Sequence, residues 1–281
     1  MNLKEIFLVI VLYKTSLEDS KTVNSLENII GERVNLFVFD NSPIRQYKSD
    51  NFDFRSFKVC YYHDETNPGL SVAYNYALDL AINTNYSWLL LLDQDTTFTL
   101  QYIKAIKSLD FSDISSSVVA IIPRVVSLVG KSIIAPAKIL LGGICRPIKL
   151  SSGVVNIPIS GINSGTILST AYMNSINGFS EKYTLDMLDH WYFRKIFNDG
   201  KSVYVLDSFI NQDLSIFGNF EENVSFIRYQ QMLKSESLFI KEEGVLSLLI
   251  FKFRLIFRVL KQLKYKNSDY YRFTLKQVFY N

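Results

Sequence analysis

Short apolar runs alternate with amphipathic stretches through most of the chain, and this alternation constrains the fold more than any other feature. Ile6 to Leu12, Val34 to Phe39, Val59 to Tyr62, Ser87 to Leu92, Val118 to Ile122, Ser164 to Ser169 and Val203 to Leu206 read as strands. Each is too short for a buried helix. Between them, Leu17 to Ile30, Leu70 to Ile82, Leu100 to Leu109 and Asp189 to Asn198 read as helices, with Gly31 and Gly200 closing the first and last. Pro123 is expected to end its strand, and Gly142-Gly143 with Ser151-Ser152-Gly153 mark loops around a hairpin. Strands separated by helices predict an α/β fold with a mostly parallel central sheet flanked by helices. Ligands of such sheets bind at the carboxyl ends of the strands. From Phe226 the pattern changes to long helices, so we expect one domain over residues 1–225 and a helical extension over 226–281.

A core is easily built, because 48% of the 281 residues are hydrophobic. Two cysteines, Cys60 and Cys145, exclude a disulfide framework. Two histidines outside any ligand spacing, His63 and His190, argue against a structural zinc site. The run after Met1 lacks a cleavage site and reads as a strand rather than a signal peptide. No run of about 18 apolar residues is present, so no membrane span is expected. Charge is uneven. Lys252, Arg254, Arg258, Lys261, Lys264, Lys266, Arg272 and Lys276 oppose only Asp269, giving residues 252–281 a formal charge of +7 on a chain of net +3.

The sharpest chemical feature is Asp93-Gln94-Asp95, which follows four leucines, Leu89 to Leu92. Two carboxylates at the end of a buried strand are costly without a cation. Mg²⁺ or Mn²⁺ suits such oxygens and commonly shares them with phosphates. Asp40 ends the second strand, where it can accept from a nucleobase N–H or a ribose hydroxyl, or form an ordinary Asx turn. Asn67-Pro68-Gly69 leads into a helix carrying Asn75, and Gly69 permits close backbone approach. Asp189, in Asp186-Met187-Leu188-Asp189-His190, either caps its helix or serves as a general base. The chain has no G-x-G-x-x-G and no P-loop, and Gly161-Ile162-Asn163-Ser164-Gly165 has Asn where a nucleophile elbow needs Ser.

In this order the pieces resemble the family 2 inverting glycosyltransferases of GT-A fold, nearest the bacterial rhamnosyltransferase branch, over about residues 5–245. Ile10-Val11-Leu12-Tyr13-Lys14 resembles the family's first strand and nucleotide loop, which implies Leu12 and Tyr13 at the donor. Phe37-Val38-Phe39-Asp40-Asn41-Ser42 is similar to its V-D-N-S stretch and implies Asp40 near the nucleobase. Asn67, Gly69, Ala73 and Asn75 match N-x-G-x-x-x-A-x-N. Leu92-Asp93-Gln94-Asp95 resembles the family D-x-D, often D-Q-D in this branch, implying Asp93 and Gln94 on the donor and Asp95 with Asp93 on the metal. Asn163-Ser164-Gly165-Thr166 is similar to the segment lining donor sugar and acceptor, so Ser164 and Gly165 join the donor set. The I-D-x-x-D stretch implies Asp189 as base, and Arg228-Tyr229 to Phe239 resembles the closing helix. One position departs: Asn211-Gln212-Asp213-Leu214-Ser215 has Gln212 where relatives often have His, which leaves the metal weaker or Asp213 as a substitute.

The resemblance implies an inverting transfer of a sugar, L-rhamnose from dTDP-L-rhamnose first and a UDP-hexose second, to a saccharide in O-antigen or capsule synthesis. It implies Mg²⁺ or Mn²⁺, a lipid-linked acceptor and no nucleic-acid partner. It also implies a cytoplasmic, peripheral place on the inner membrane face. A nucleotidyltransferase is disfavoured, because Leu12-Tyr13-Lys14-Thr15-Ser16 lacks a Gly- and Arg-rich loop. A non-catalytic membrane-surface adaptor is the remaining reading, motivated by the apolar and cationic residues from Leu246 to Leu263.

Overall fold

The structure, a computed structural model, describes residues 5–110, 114–127, 132–212 and 220–279. Its elements are β1 (Ile6–Leu12), α1 (Lys21–Ile30), β2 (Val34–Asp40), β3 (Asn51–Phe54), β4 (Phe57–His63), α2 (Leu70–Asn83), β5 (Trp88–Asp93), α3 (Leu100–Ser108) and β6 (Val118–Val126). There follow β7 (Ile133–Ala135), β8 (Ala137–Leu140), β9 (Ile144–Pro147), β10 (Gly153–Val155), β11 (Ile167–Ser169), α4 (Thr170–Ser175), α5 (Leu188–Asn198) and β12 (Ser202–Asn211). Four helices end the chain: α6 (Phe220–Asn223), α7 (Phe226–Glu242), α8 (Val245–Gln262) and α9 (Asp269–Phe279). Two compact units result. One comprises residues 1–136 and 147–212, the other 137–146 and 213–281.

The first unit is built on one sheet in the order β10-β12-β6-β11-β5-β1-β2-β4-β3, with β7 paired to β6. β5, β1, β2 and β4 run parallel, and β12 runs parallel to β6. Short β11 lies antiparallel between β5 and β6. The predicted runs become the core: Val9, Ile10 and Leu12 of β1 and Leu89, Leu91 and Leu92 of β5 are wholly buried. A strand covered on both faces must be apolar at successive positions, which is why these runs do not alternate.

Three local expectations change. The first helix begins at Lys21, because Ser20 caps it by accepting from the Val23 N–H, and Leu17 lies in the preceding turn. β6 continues through Pro123. The proline falls at a register shift between Val205 and Phe209 of β12, where the missing N–H breaks no ladder bond. β3 and β4 form a hairpin turned at Arg55, whose φ of 53° gave no Gly or Asn signal in the sequence.

The second unit holds α6 to α9 and the β8–β9 hairpin, whose own turn, not a flanking loop, is at Gly142-Gly143. Its core is built on Leu233, Phe239, Ile240, Phe251 and Leu255 and holds an ion pair among them. Arg258 donates two parallel hydrogen bonds, of 2.8 and 3.0 Å, to the buried Glu236 carboxylate. This bidentate contact offsets the cost of burying both charges. Arg254 donates to the Gly142 carbonyl, so two of the eight tail cations face inward. α8 buries Ser247, Phe251, Leu255 and Gln262 but leaves Val245, Leu246, Leu249, Phe253, Ile256, Phe257, Leu260 and the cap residue Leu263 exposed. No helix of the described residues is long and apolar enough to cross a membrane.

Candidate active site

Three adjacent parallel strands end together, and the outer two end in acids. Val11 pairs with Asp93 across β1 and β5, and Leu12 pairs with Asp40 across β1 and β2. The turn after β5 is clamped from α1. Thr22 Oγ1 donates to the Asp93 and Thr96 carbonyls and accepts from the Thr96 N–H, while Ser20 Oγ donates to the Gln94 carbonyl. Ser164 Oγ accepts from the Asp93 N–H at 3.3 Å. These bonds fix the direction of the two carboxylates before any ligand arrives. Nothing local in the sequence marked Ser20 or Thr22, because each acts across more than 70 residues.

The carboxylates are under-compensated. Burial, then repulsion from Asp95, pushes the Asp93 carboxyl up to about 7, with Asp189 adding to the rise and Gln212 and Tyr74 opposing it. Burial also raises Asp95, against the pull of Lys21 and Gln212. Gln212 Nε2 reaches Asp93 Oδ2 at 3.3 Å and Asp95 Oδ1 at 3.4 Å. Tyr74 donates to Asp93 Oδ1 at 3.4 Å. A neutral amide and a neutral phenol cannot cancel two negative charges, so a divalent cation fits this donor set.

Asp189 belongs to the same cluster. Its charge is felt at Asp93, and Tyr192 responds to both: burial first, then Asp189 and Asp93, push that phenol well above its usual range. The Asp189 side chain sits in the first turn of α5, with Oδ1 accepting the His190 N–H at 2.7 Å. His190 Nδ1 lies 2.6 Å from Ser160 Oγ.

The helix after Asn67-Pro68-Gly69 turns out to hold this segment rather than present ligands. The Leu70 N–H donates to the Thr184 carbonyl at 2.6 Å. Gly69 has φ 98° and ψ −179°, a glycine-only conformation, and an added Cβ would lie 2.5 Å from the Thr184 oxygen. Asn75, expected at the donor, instead exchanges two bonds with the Phe179 backbone, at 2.9 and 2.7 Å. Gly69→Ala should therefore cost about 2 kcal/mol or more in urea unfolding. It should also displace the loop before Asp189.

Other expected donor ligands are likewise engaged by the fold. Asp40 is fully buried, its Oδ1 accepting from the Ser42 N–H and its Oδ2 from Tyr61, so it forms the Asx turn and not an open nucleobase contact. Leu12 is fully buried. Gln94 accepts from the Tyr13 N–H at 2.8 Å and donates to the Tyr13 carbonyl, tying the two loops together. Gly165 is packed against Ile210 and Pro123 at φ 76°, its N–H on the Leu91 carbonyl. Asn67 is an exposed turn residue with φ 51°. Tyr13 presents an exposed ring at this edge, with the Lys14 ammonium 5.1 Å from its centroid. Asp213 to Ser215 lie outside the described residues. A separate cavity of about 780 Å³ lies at the opposite, amino ends of β1, β2 and β4. It gathers no set of acids, since the one it borders, Asp53, is paired with Arg33.

No protein-family model matches the sequence, and no curated protein matches it either. Solved structures do match. GalNAc-T7 with UDP, GalNAc and Mn²⁺ is 11% identical over 97% of this chain and 54% of its own, with a TM-score of 0.54. The mannosyltransferase PcManGT from Pyrobaculum calidifontis, in complex with GDP-Man and Mn²⁺, is 12% identical over 97% and 73%, with a TM-score of 0.51. Residues 1–349 of S. aureus TarS are 15% identical over 97% and 81%, with a TM-score of 0.52. The chain thus spans about half the length of the GalNAc-T7 chain. These likenesses show the fold, a large central sheet flanked by helices in the GT-A arrangement.

Proposed function

We propose that the chain is a metal-dependent, inverting glycosyltransferase. The observation that carries this reading is the approach of Asp189 to Asp93 beside Asp95 at the carboxyl edge of a GT-A sheet, where Lys21 pulls on Asp95 and no cation among the described residues offsets Asp93. The UDP, GDP-Man and Mn²⁺ of two structural neighbours support a nucleotide-sugar donor and Mg²⁺ or Mn²⁺. Asp95 and Asp93 would hold the cation, which when bound neutralises the departing diphosphate. Tyr13 offers its exposed ring to the nucleotide, and Asp93 faces the ribose side. Asp189 takes the proton of the acceptor hydroxyl. The acceptor oxygen bonds to the anomeric carbon as the carbon–phosphate-oxygen bond breaks, and its electron pair leaves with the nucleoside diphosphate. The bonds that the Asn75, Gln94 and Ser164 side chains make to the Phe179, Tyr13 and Asp93 backbone, and the Leu70 N–H makes to Thr184, keep these groups in place, which is where much of the rate of a two-substrate reaction arises.

The donor we assign is dTDP-L-rhamnose, on the D-Q-D order of motifs, and the setting is O-antigen or capsular polysaccharide synthesis. The test is phosphorus NMR of turnover with dTDP-L-rhamnose and UDP-hexoses. Release of nucleoside diphosphate from the nucleotide sugar supports transfer, whereas release of pyrophosphate from a nucleoside triphosphate and a sugar 1-phosphate in a parallel reaction identifies a nucleotidyltransferase.

The second unit supports a peripheral site of work on the inner face of the membrane, where a lipid-linked acceptor would be met. Along α8 and its cap, Leu246, Leu249, Phe253, Phe257, Leu260 and Leu263 recur every three or four positions, each more than half exposed. Exposed Lys261, Lys264, Lys266, Arg272 and Lys276 accompany them. An apolar stripe with cations beside it complements an anionic bilayer. Co-sedimentation with phosphatidylglycerol-containing vesicles should be strong, weakened by salt, and lost when Leu249, Phe253 and Phe257 are all changed to Ser. Unchanged sedimentation in that variant would remove the membrane assignment.

A further inference from the structure

Gln212 lies just past the end of β12, with its backbone N–H on the Val126 carbonyl at 3.1 Å. Its side chain is 6% exposed and bridges Asp93 and Asp95 through Nε2. Both bonds, at 3.3 and 3.4 Å, are long for a charge-assisted contact. The other end of the carboxamide, Oε1, is buried without a hydrogen-bond partner among the described residues. An unpaired buried carbonyl is costly, because its lost hydration is not replaced. The residue therefore holds a strong acceptor in reserve beside two carboxylates that carry too little positive charge.

A carboxamide has two ends of nearly equal shape, and a half-turn about its last bond exchanges them. With only the carboxylates present, Nε2 is the end that faces them favourably. A cation between the carboxylates reverses that preference, since a positive charge repels the NH₂ and attracts the carbonyl oxygen. We propose that Gln212 is a neutral third oxygen ligand of the cation, engaged by this half-turn. The ligand set is then all oxygen, and it disfavours nitrogen-seeking ions relative to a site containing imidazole. This inference rests on reading Asp93-Gln94-Asp95 as a cation site.

The experiment is Mn²⁺ binding to the full chain followed by electron paramagnetic resonance, with Zn²⁺ and Mg²⁺ affinities obtained by competition. Gln212→Leu should weaken Mn²⁺ at least tenfold, while Gln212→Glu, which keeps an oxygen, should bind at least as tightly as the parent. Gln212→His should raise the preference for Zn²⁺ over Mg²⁺ at least tenfold and add a directly coupled nitrogen to the Mn²⁺ spectrum. If Asp95→Ala abolishes binding but Gln212→Leu and Gln212→His leave Mn²⁺ affinity, ion preference and spectrum unchanged, Gln212 is not a ligand and the cation site survives. If the parent chain binds none of the three ions, both this inference and the cation site are overturned. Circular dichroism confirms that each variant is folded, and Gln212→Glu and Gln212→His decide the matter if Gln212→Leu is not.

Discussion

Asp189→Asn should bind donor as the parent does and turn over about 10²–10⁴-fold more slowly, the range a general base supplies. The substitution keeps the shape of the side chain, and an amide oxygen can still accept the His190 N–H that Asp189 Oδ1 now takes at 2.7 Å. What is lost is the capacity to receive a proton. Leu188, Tyr192 and Phe193, which bury α5, are left in place by the substitution. Donor affinity, measured by calorimetry with Mg²⁺, is therefore expected to stay within about threefold while kcat collapses. A variant that retains normal kcat would strip Asp189 of its role and leave the reaction without a base.

Asp95→Ala should separate metal from nucleotide. With Mg²⁺ or Mn²⁺ present, donor affinity should fall by about 10²-fold, on the order of a lost charge-assisted ligand. With chelator present, parent and variant should bind the donor equally weakly. Loss of one of two mutually repelling carboxylates also relieves the strain on Asp93, which sits at about 7 through burial and then Asp95. The metal-free variant should therefore melt no lower than the metal-free parent, whereas an ordinary loss of a buried side chain lowers stability. Calorimetry and thermal melts with and without the ion read both effects.

What the sequence makes legible depends on the range of the interaction responsible. β1 and β5 could be read directly, because strands buried on both faces are unbroken apolar runs and Asp93 interrupts one of them at its end. The α8 stripe was equally visible, since helical periodicity is a local property. The ligand set was less so. Asp40, Gln94 and Asn75 have the right chemistry for donor contacts, but their partners are Tyr61, the Tyr13 backbone and the Phe179 backbone, which are distant or unsignalled. A motif match shows that a side chain matters and leaves open whether it meets a ligand or a loop. Gln212 illustrates the converse: it stood out as a departure from a pattern, and only its position over both carboxylates gives the departure a chemical meaning.

Titrating dTDP-L-rhamnose and UDP-hexoses into the full chain, with Mg²⁺ or with chelator, measures the shared premise most directly. Ligand at about 100 times its Kd stabilises a folded protein by about 2.7 kcal/mol. A rise in melting temperature with at least one nucleotide sugar, present with the ion and absent in chelator and in an Asp93→Asn, Asp95→Asn double variant, is the predicted result. No shift with any nucleotide sugar, or a shift that neither chelator nor the double variant removes, would contradict a cation-held donor at this edge.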